Sequence, residues 1–364
     1  MALSVGIVGL PNVGKSTVFN ALTAGKAEAA NYPFCTIDPN IGIVAVPDPR
    51  MARITKYIPP QRVVPTAVEI VDIAGLVKGA SKGEGLGNKF LANIRETSAI
   101  LMMVRCFEDP NVVHVAETVD PLRDIEIIEL ELVLADLDGV EKRVKKGAAL
   151  AKSGNKEAAA DQALAHRVLT QLSDGKPART LSLTDDERAR LATFGLLTAK
   201  PVLYCCNVGE GDLPDGNAWS RQVQARAQAE GAGVVILCGK LESELAELDA
   251  AGRAELLQSY GLTEPALATL ARESYRLLGL RSYFTAGETE VRAWTIRNGA
   301  TAPEAAGAIH TDFQKGFIRA QVYTLDDLER YGSEAAIKAA GKMRLEGKDY
   351  VVADGDIMHF LFNV

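Results

Sequence analysis

An α/β fold with a mostly parallel sheet, interrupted by a helical hairpin and followed by a small α+β domain, is what the 364-residue sequence predicts. Three observations predict it. From Leu3 to about Pro110, apolar runs (Val5 to Val8, Ala67 to Val71, Ile100 to Val104) alternate with helix-like stretches and glycine-rich turns, the pattern of parallel strands joined by crossovers. Between about Pro121 and Lys200 the chain turns charged and alanine-rich, and Leu130, Val133, Leu137, Val140 and Val144 recur at spacings of three and four. Strand-like runs then resume at Pro201 to Cys206 and Gly233 to Leu237, so the helical stretch is inserted into the first domain.

The inserted segment reads as a hairpin whose return arm (Ala165, Val168, Leu172) is shorter, with Ser153-Gly154-Asn155 as the turn. After about Leu280 the runs Glu290 to Ile296, Ala320 to Tyr323 and Ile357 to Phe362 predict strands, and Pro303 to His310 a helix. The expected domains are therefore a discontinuous α/β domain over 1–120 and 201–279, a helical insertion over 121–200, and an α+β domain over 280–364.

The net charge of −7 argues against a protein that coats nucleic acid by bulk attraction. Residues 121–200 carry 13 basic and 13 acidic side chains, and 281–364 carry 10 and 12, so neither segment forms a basic surface. The cluster Lys142-Arg143-Val144-Lys145-Lys146 is a candidate rRNA contact, with a solvated helix face as the favoured reading. No apolar run approaches the roughly 20 residues of a membrane helix, and Met1 to Val8 lacks the features of a signal peptide. A cytoplasmic protein without a membrane partner, expected as a monomer, follows. The five cysteines (Cys35, Cys106, Cys205, Cys206, Cys238) show no C-x-x-C spacing, as reduced thiols would, and the four histidines are too scattered to complete a zinc site.

Gly9-Leu10-Pro11-Asn12-Val13-Gly14-Lys15-Ser16 matches G-x-x-x-x-G-K-[ST], between an expected strand and the helical-looking Thr17 to Leu22. In that context the backbone from Asn12 through Val13 and Gly14 to Thr17 curls around phosphates at a helix N-terminus, Lys15 neutralises the outer phosphates, and Ser16 offers its hydroxyl to Mg²⁺. A second apolar strand ends at Asp72-Ile73-Ala74-Gly75, which puts Asp72 in place to hold Mg²⁺ through water and Gly75 to sense the terminal phosphate. Between them, Asn31 to Thr36 occupies the position of a first switch loop, with Thr36 as the second Mg²⁺ hydroxyl. The glycine-rich Val77 to Gly87 reads as a second switch.

Guanine-reading members of this class carry Asn-Lys-x-Asp, and no [NT]-K-x-D occurs here. Asn207-Val208-Gly209-Glu210 stands in its place. Adenine presents an acceptor at N1 and a donor at N6, the reverse of what a guanine-reading carboxylate wants, so this change relaxes or inverts the preference. On Gly9 to Thr17, Asn31 to Asn40, Asp72 to Gly87, Asn207 to Glu210 and Val291 to Gly316, the sequence resembles the YchF, or Obg-like ATPase, family over essentially its whole length. The resemblance implies a GTPase-type domain, an inserted coiled coil and a terminal TGS domain of ubiquitin-like fold. It implies ATP in preference to GTP, with Asn207, the backbone at Val208 and Glu210 forming the base motif, and Gly239, within Cys238-Gly239-Lys240, in the remaining base-side loop. It also implies ribosome association, with RNA contact through the TGS or helical domain.

Leu76 stands where Ras-like GTPases place the glutamine that orients water. The resemblance implies two substitutes. Asn12 resembles the asparagine by which related hydrolases hold K⁺ beside the phosphates, or it merely shapes the loop. His114, in a loop after the strand Ile100 to Val104, is a candidate general base or water-positioner, and with Lys15 and Gly75 it makes up the expected catalytic set. Cys35 lies in the switch, and nothing in the sequence depresses its pKa, so the inert reading is favoured. The resulting expectation is a slow Mg²⁺-dependent ATPase acting as a regulatory switch. The alternatives are a ribosome- or RNA-binding module with incidental turnover, and a GTP-specific enzyme of the Obg class.

Overall fold

The computed structural model describes residues 3–24, 40–73, 86–112, 114, 118–151 and 155–363. Among them the strands are β1 Ser4–Val8, β2 Ile41–Val46, β3 Arg62–Val64, β4 Thr66–Asp72, β5 Ala99–Cys106, β6 Val202–Val208, β7 Gly233–Leu237, β8 Leu280–Ala286, β9 Glu290–Arg297, β10 Phe317–Tyr323, β11 Arg344–Glu346 and β12 Ile357–Phe362. The α-helices are α1 Lys15–Thr23, α2 Pro49–Ile54, α3 Leu86–Glu96, α4 Pro121–Ala151, α5 Lys156–Ser173, α6 Asp185–Ala192, α7 Ala218–Glu230, α8 Gly239–Glu247, α9 Ala250–Ser259, α10 Ala266–Leu277, α11 Ala302–Ile309, α12 Thr311–Lys315, α13 Leu325–Tyr331 and α14 Glu334–Ala339. Two compact units divide the described residues: one holds 3–24, 40–42 and those within 69–270, the other 43–68 and 271–363.

The first unit is built on a sheet of order β2-β4-β1-β5-β6-β7. β1 runs parallel to β4 and β5, β5 to β6, and β6 to β7. Every residue of β1, β5 and β6 is buried, which is why these strands read as unbroken apolar runs. β1 has β4 on one side and β5 on the other. The strand order thus reverses beside the loop that follows β1, the position where ligands bind in open α/β sheets.

The helical insertion belongs to this same unit. Along the hairpin α4 spans 31 residues and α5 18. Asn155 caps α5 by accepting from the backbone N–H groups of Glu157 and Ala158. Val133 and Val140 bury against Leu164, Val168 and Leu172, with Leu137 and Val144 packed at the margin. Leu130, expected in this seam, is instead 51% exposed. Near its start α4 buries Ile125, Ile128 and Leu132, so a different helix face turns inward there and Leu130 faces out. Deeper in the structure, Asp136 accepts from the backbone N–H of Leu197 (3.0 Å) and of Thr198 (2.8 Å), which ties the end of the insertion back to α4.

The second unit carries a sheet of order β11-β10-β12-β8-β9-β3 with a core on each face. Alternation along β10 sends Tyr323 to one core and Val322 to the other. Residues 43–68, expected within the α/β domain, fall in this unit. The reason is burial: Met51 and Ile54 of α2 pack with Phe284, Leu328, Ile337 and Ile357, and β3 pairs in parallel with β9. Strands β2, β3, β8 and β11 are not among the strands expected from the sequence; β3 and β11 span three residues each. Among the described residues no helix is long and apolar enough to cross a membrane.

Candidate nucleotide-binding site

The loop after β1 is shaped by close backbone approach. A Cβ at Gly9 would lie 2.7 Å from the Met103 carbonyl oxygen of β5, so only glycine lets the loop leave the sheet there. Asn12 takes φ 64°, a left-handed conformation that asparagine tolerates better than most side chains, and Gly14 takes φ 98°. A Cβ on Gly14 would collide with the Asn207 side-chain amide. Helix α1 begins at Lys15, so the loop N–H groups gather at a helix N-terminus.

Lys15 is buried, and its ammonium donates to the carbonyl oxygens of Gly9 (2.9 Å) and Leu10 (2.7 Å). Burial lowers its pKa to about 8, an effect that the charge of Asp72 partly opposes. The converse holds at the end of β4: burial raises the Asp72 carboxyl, and Lys15 counteracts it. The two charges are electrostatically coupled, and Asp72 pairs in register with Ile7 of β1.

The opposite wall comes from the C-terminal ends of β5, β6 and β7. Asn207, on β6, is buried; its Nδ2 donates to the Val13 carbonyl (2.9 Å), and its Oδ1 accepts from the Gly239 N–H (2.9 Å). One side chain thereby joins the phosphate loop to the loop after β7. Both walls enclose a cavity of about 560 Å³ lined by Asn12, Gly14, Lys15, Ser16, Thr17, Phe107, Asp109, Val112, Asn207, Gly239, Lys240 and Ser243.

Of the residues singled out from the sequence, Asn12, Gly14, Lys15, Ser16, Thr17, Asn207 and Gly239 line this cavity, and Val13 borders it through its bond to Asn207. Val208 is buried in β6, and Glu210 pairs with Lys240 at 3.1 Å; neither lines the cavity. His114 is buried with its Nε2 2.9 Å from Asp124 Oδ2, at the start of α4. Nearby Asp109 and Val112 reach the cavity, whereas His114 does not. Thr36, Gly75, Leu76 and Cys35 lie outside the described residues. The four described cysteines are free and buried.

Sequence reasoning does not assign Phe107, Asp109, Val112 or Ser243 to the site. The one signal they carry is position, just past the C-terminal ends of strands. Arg105 holds Phe107 and Val112 in place: its guanidinium donates to the carbonyl oxygens of Phe107 (3.1 Å) and Val112 (3.0 Å) and stacks over the Phe107 ring.

A glycine-shaped phosphate loop between a central parallel strand and a helix, a lysine at its tip, and an aspartate at the end of the neighbouring strand define a P-loop nucleotide-binding protein of the GTPase type. Residues 4–133 match a family model described as 50S ribosome-binding GTPase. Residues 280–363 match the C-terminal model of YchF-type GTPases, described as a protein of unknown function. The chain is 54% identical over 364 residues to the ribosome-binding ATPase YchF of Escherichia coli O157:H7, and 52% identical over 366 residues to that of Bacillus subtilis strain 168, in both cases covering 100% of each chain. Its fold matches the solved YchF GTPase of Schizosaccharomyces pombe with a TM-score of 0.88 and 38% identity, over 99% of this chain and 97% of that one. The chain belongs to the YchF family. The bacterial relatives are named ATPases and the yeast structure a GTPase, so the base preference must be argued from the site.

Proposed function

We propose that the protein is a slow Mg²⁺-dependent ATPase, preferring ATP over GTP, that works as a nucleotide-controlled switch on the ribosome. The observation that carries the base preference is the wall after β6. Asn207 uses both polar ends of its amide on backbone, and Val208 and Glu210 replace the lysine and aspartate that would read guanine. The ribosome enters through the names of the bacterial relatives.

Lys15 is the first group to act. Its ammonium rests on two loop carbonyls, and a triphosphate entering the loop offers it stronger acceptors. The backbone N–H groups around Gly14 cradle the same phosphates. Ser16, a cavity residue, and Asp72, a carboxylate whose burial calls for a counter-charge, suit Mg²⁺, with Thr36 as the second hydroxyl. When bound there, Mg²⁺ supplies charge neutralisation on the outer phosphates. Gly75 presents its N–H to the terminal phosphate in this scheme. Asn12, held left-handed at the cavity edge, is the residue that would take K⁺.

No glutamine follows Gly75, and His114 is the candidate for orienting water, a role that requires its side chain to turn from Asp124 into the cavity, which it does not line here. The Asp124 carboxylate lies 2.9 Å from its ring nitrogen and fixes the ring plane. The C-terminal unit, read as a TGS domain, and the hairpin are the candidate RNA-contacting parts. A binding module with incidental turnover is the second reading, motivated by Leu76.

The test is equilibrium binding of ATP and GTP with Mg²⁺ and K⁺, followed by turnover with and without ribosomes. Tighter ATP binding that is lost in Val208→Lys/Glu210→Asp, with ribosome-stimulated turnover, is the expected result. A GTP preference in the wild type would return the protein to the GTP-specific class. Ribosome binding that ignores nucleotide state would favour the module reading.

A further inference from the structure

Glu210 stands at the position where guanine-reading relatives of the class carry aspartate, and it opens a 3₁₀ turn, Glu210–Asp212, directly after β6. A carboxylate there accepts from guanine N1–H and the exocyclic amine, and faces the lone pair of adenine N1 unfavourably. Glutamate is one methylene longer than aspartate, so chain length alone does not keep it from the base. In the structure its Oε1 lies 3.1 Å from Lys240 Nζ.

Lys240 is well placed for this pairing. It is the second residue of α8, and the N–H of the preceding Gly239 is held by Asn207 Oδ1 at 2.9 Å, so the start of its backbone is tied to β6. Its side chain lines the cavity and Glu210 does not. The hydrogen bond to Glu210 also pushes the Lys240 ammonium above its ordinary pKa. The two groups are 71% and 33% exposed, so the contact is of the size of a surface ion pair.

We propose that Lys240 is a specificity-determining residue: by pairing with Glu210 it draws away from the base the carboxylate that stands at the guanine-reading position. The proposal rests on the ATP-over-GTP reading and adds how the glutamate is kept from opposing it. Releasing Glu210 raises GTP affinity relative to ATP, and because both ligands carry the same triphosphate, the ratio cancels effects on the phosphates.

The experiment is titration of the full chain with ATP and with GTP, in Mg²⁺, for the wild type, Lys240→Met, Glu210→Gln and the double variant. Methionine keeps the apolar stem and removes only the ammonium. The expected result is that the ratio of GTP to ATP dissociation constants falls about two- to fivefold in K240M, the range an exposed ion pair supports, and returns to the wild-type value in K240M/E210Q. A K240M ratio equal to that of a wild type that favours ATP overturns the proposal alone. A fall in ratio that persists in the double variant also overturns it, since Glu210 would then have no part in it. A wild type that favours GTP overturns the adenine reading and this proposal together.

Discussion

On the phosphate side of the cavity, position is set by backbone: Gly9 lies against a β5 carbonyl, Asn12 and Gly14 hold left-handed conformations, and α1 starts at Lys15. On the base side, position is set by side chains: Asn207 spans to Val13 and Gly239, Arg105 clasps the Phe107 to Val112 loop, and Lys240 holds Glu210. The phosphate half is thus one contiguous segment that binds a ligand common to every nucleotide. The base half is an assembly in which single hydrogen bonds and ion pairs can be exchanged. Binding strength should therefore reside mostly in the first half, and selectivity in the second.

Gly14→Ala strikes where the halves meet, combining an unfavourable φ with a collision against the Asn207 amide. Its expected effect is the largest, a loss of about a hundredfold or more in affinity for ATP and GTP alike. Calorimetric titration reads it, and a selective loss of one nucleotide would contradict the division of labour.

Asn207→Ala removes two buried hydrogen bonds and strands the Val13 carbonyl and the Gly239 N–H, at about 1–3 kcal/mol for each group. The unfolding midpoint should drop, and both nucleotides should weaken by about ten- to a hundredfold, because the residue acts as a strut. If only ATP weakens, Asn207 reads the base directly and the comparison must be redrawn.

The pH dependence isolates the phosphate side. Lys15 is charged below about pH 8 in the ligand-free protein, so affinity should decline above that pH, by at most about tenfold per unit, and the decline should vanish in Lys15→Met. For stability the sign is opposite. The unfolded chain keeps this proton up to about its ordinary value of 10.5, so between 8 and 10.5 the unfolded state binds more protons and the ligand-free fold gains stability from this group as pH rises. Titrations and thermal unfolding across that range check both signs. The smallest effect belongs to Glu210→Gln with Lys240 intact, which should alter ATP affinity by less than about twofold.

The same contrast explains which features are legible in the amino-acid sequence. The phosphate loop is eight consecutive residues whose chemistry is local, and β1, β5 and β6 are apolar throughout because both of their faces are covered. The hairpin is legible from Val133, Val140, Val168 and Leu172, since a helical seam repeats along one chain. Leu130 departs from the seam because the buried face of α4 changes near its start, where Ile125, Ile128 and Leu132, themselves spaced three and four apart, turn inward.

By itself the sequence determined whatever depends on neighbours along the chain: the strand, loop and helix of the phosphate site, the insertion, and the loss of the guanine-reading aspartate. The tertiary structure alone decided what depends on distant segments coming into register. It brought Asn207 194 positions along the chain to Val13 and folded residues 43–68 into the second unit. The physical reason is that backbone conformation is governed by local sterics, whereas a side chain finds its hydrogen-bond partner only after burial has chosen which segments meet.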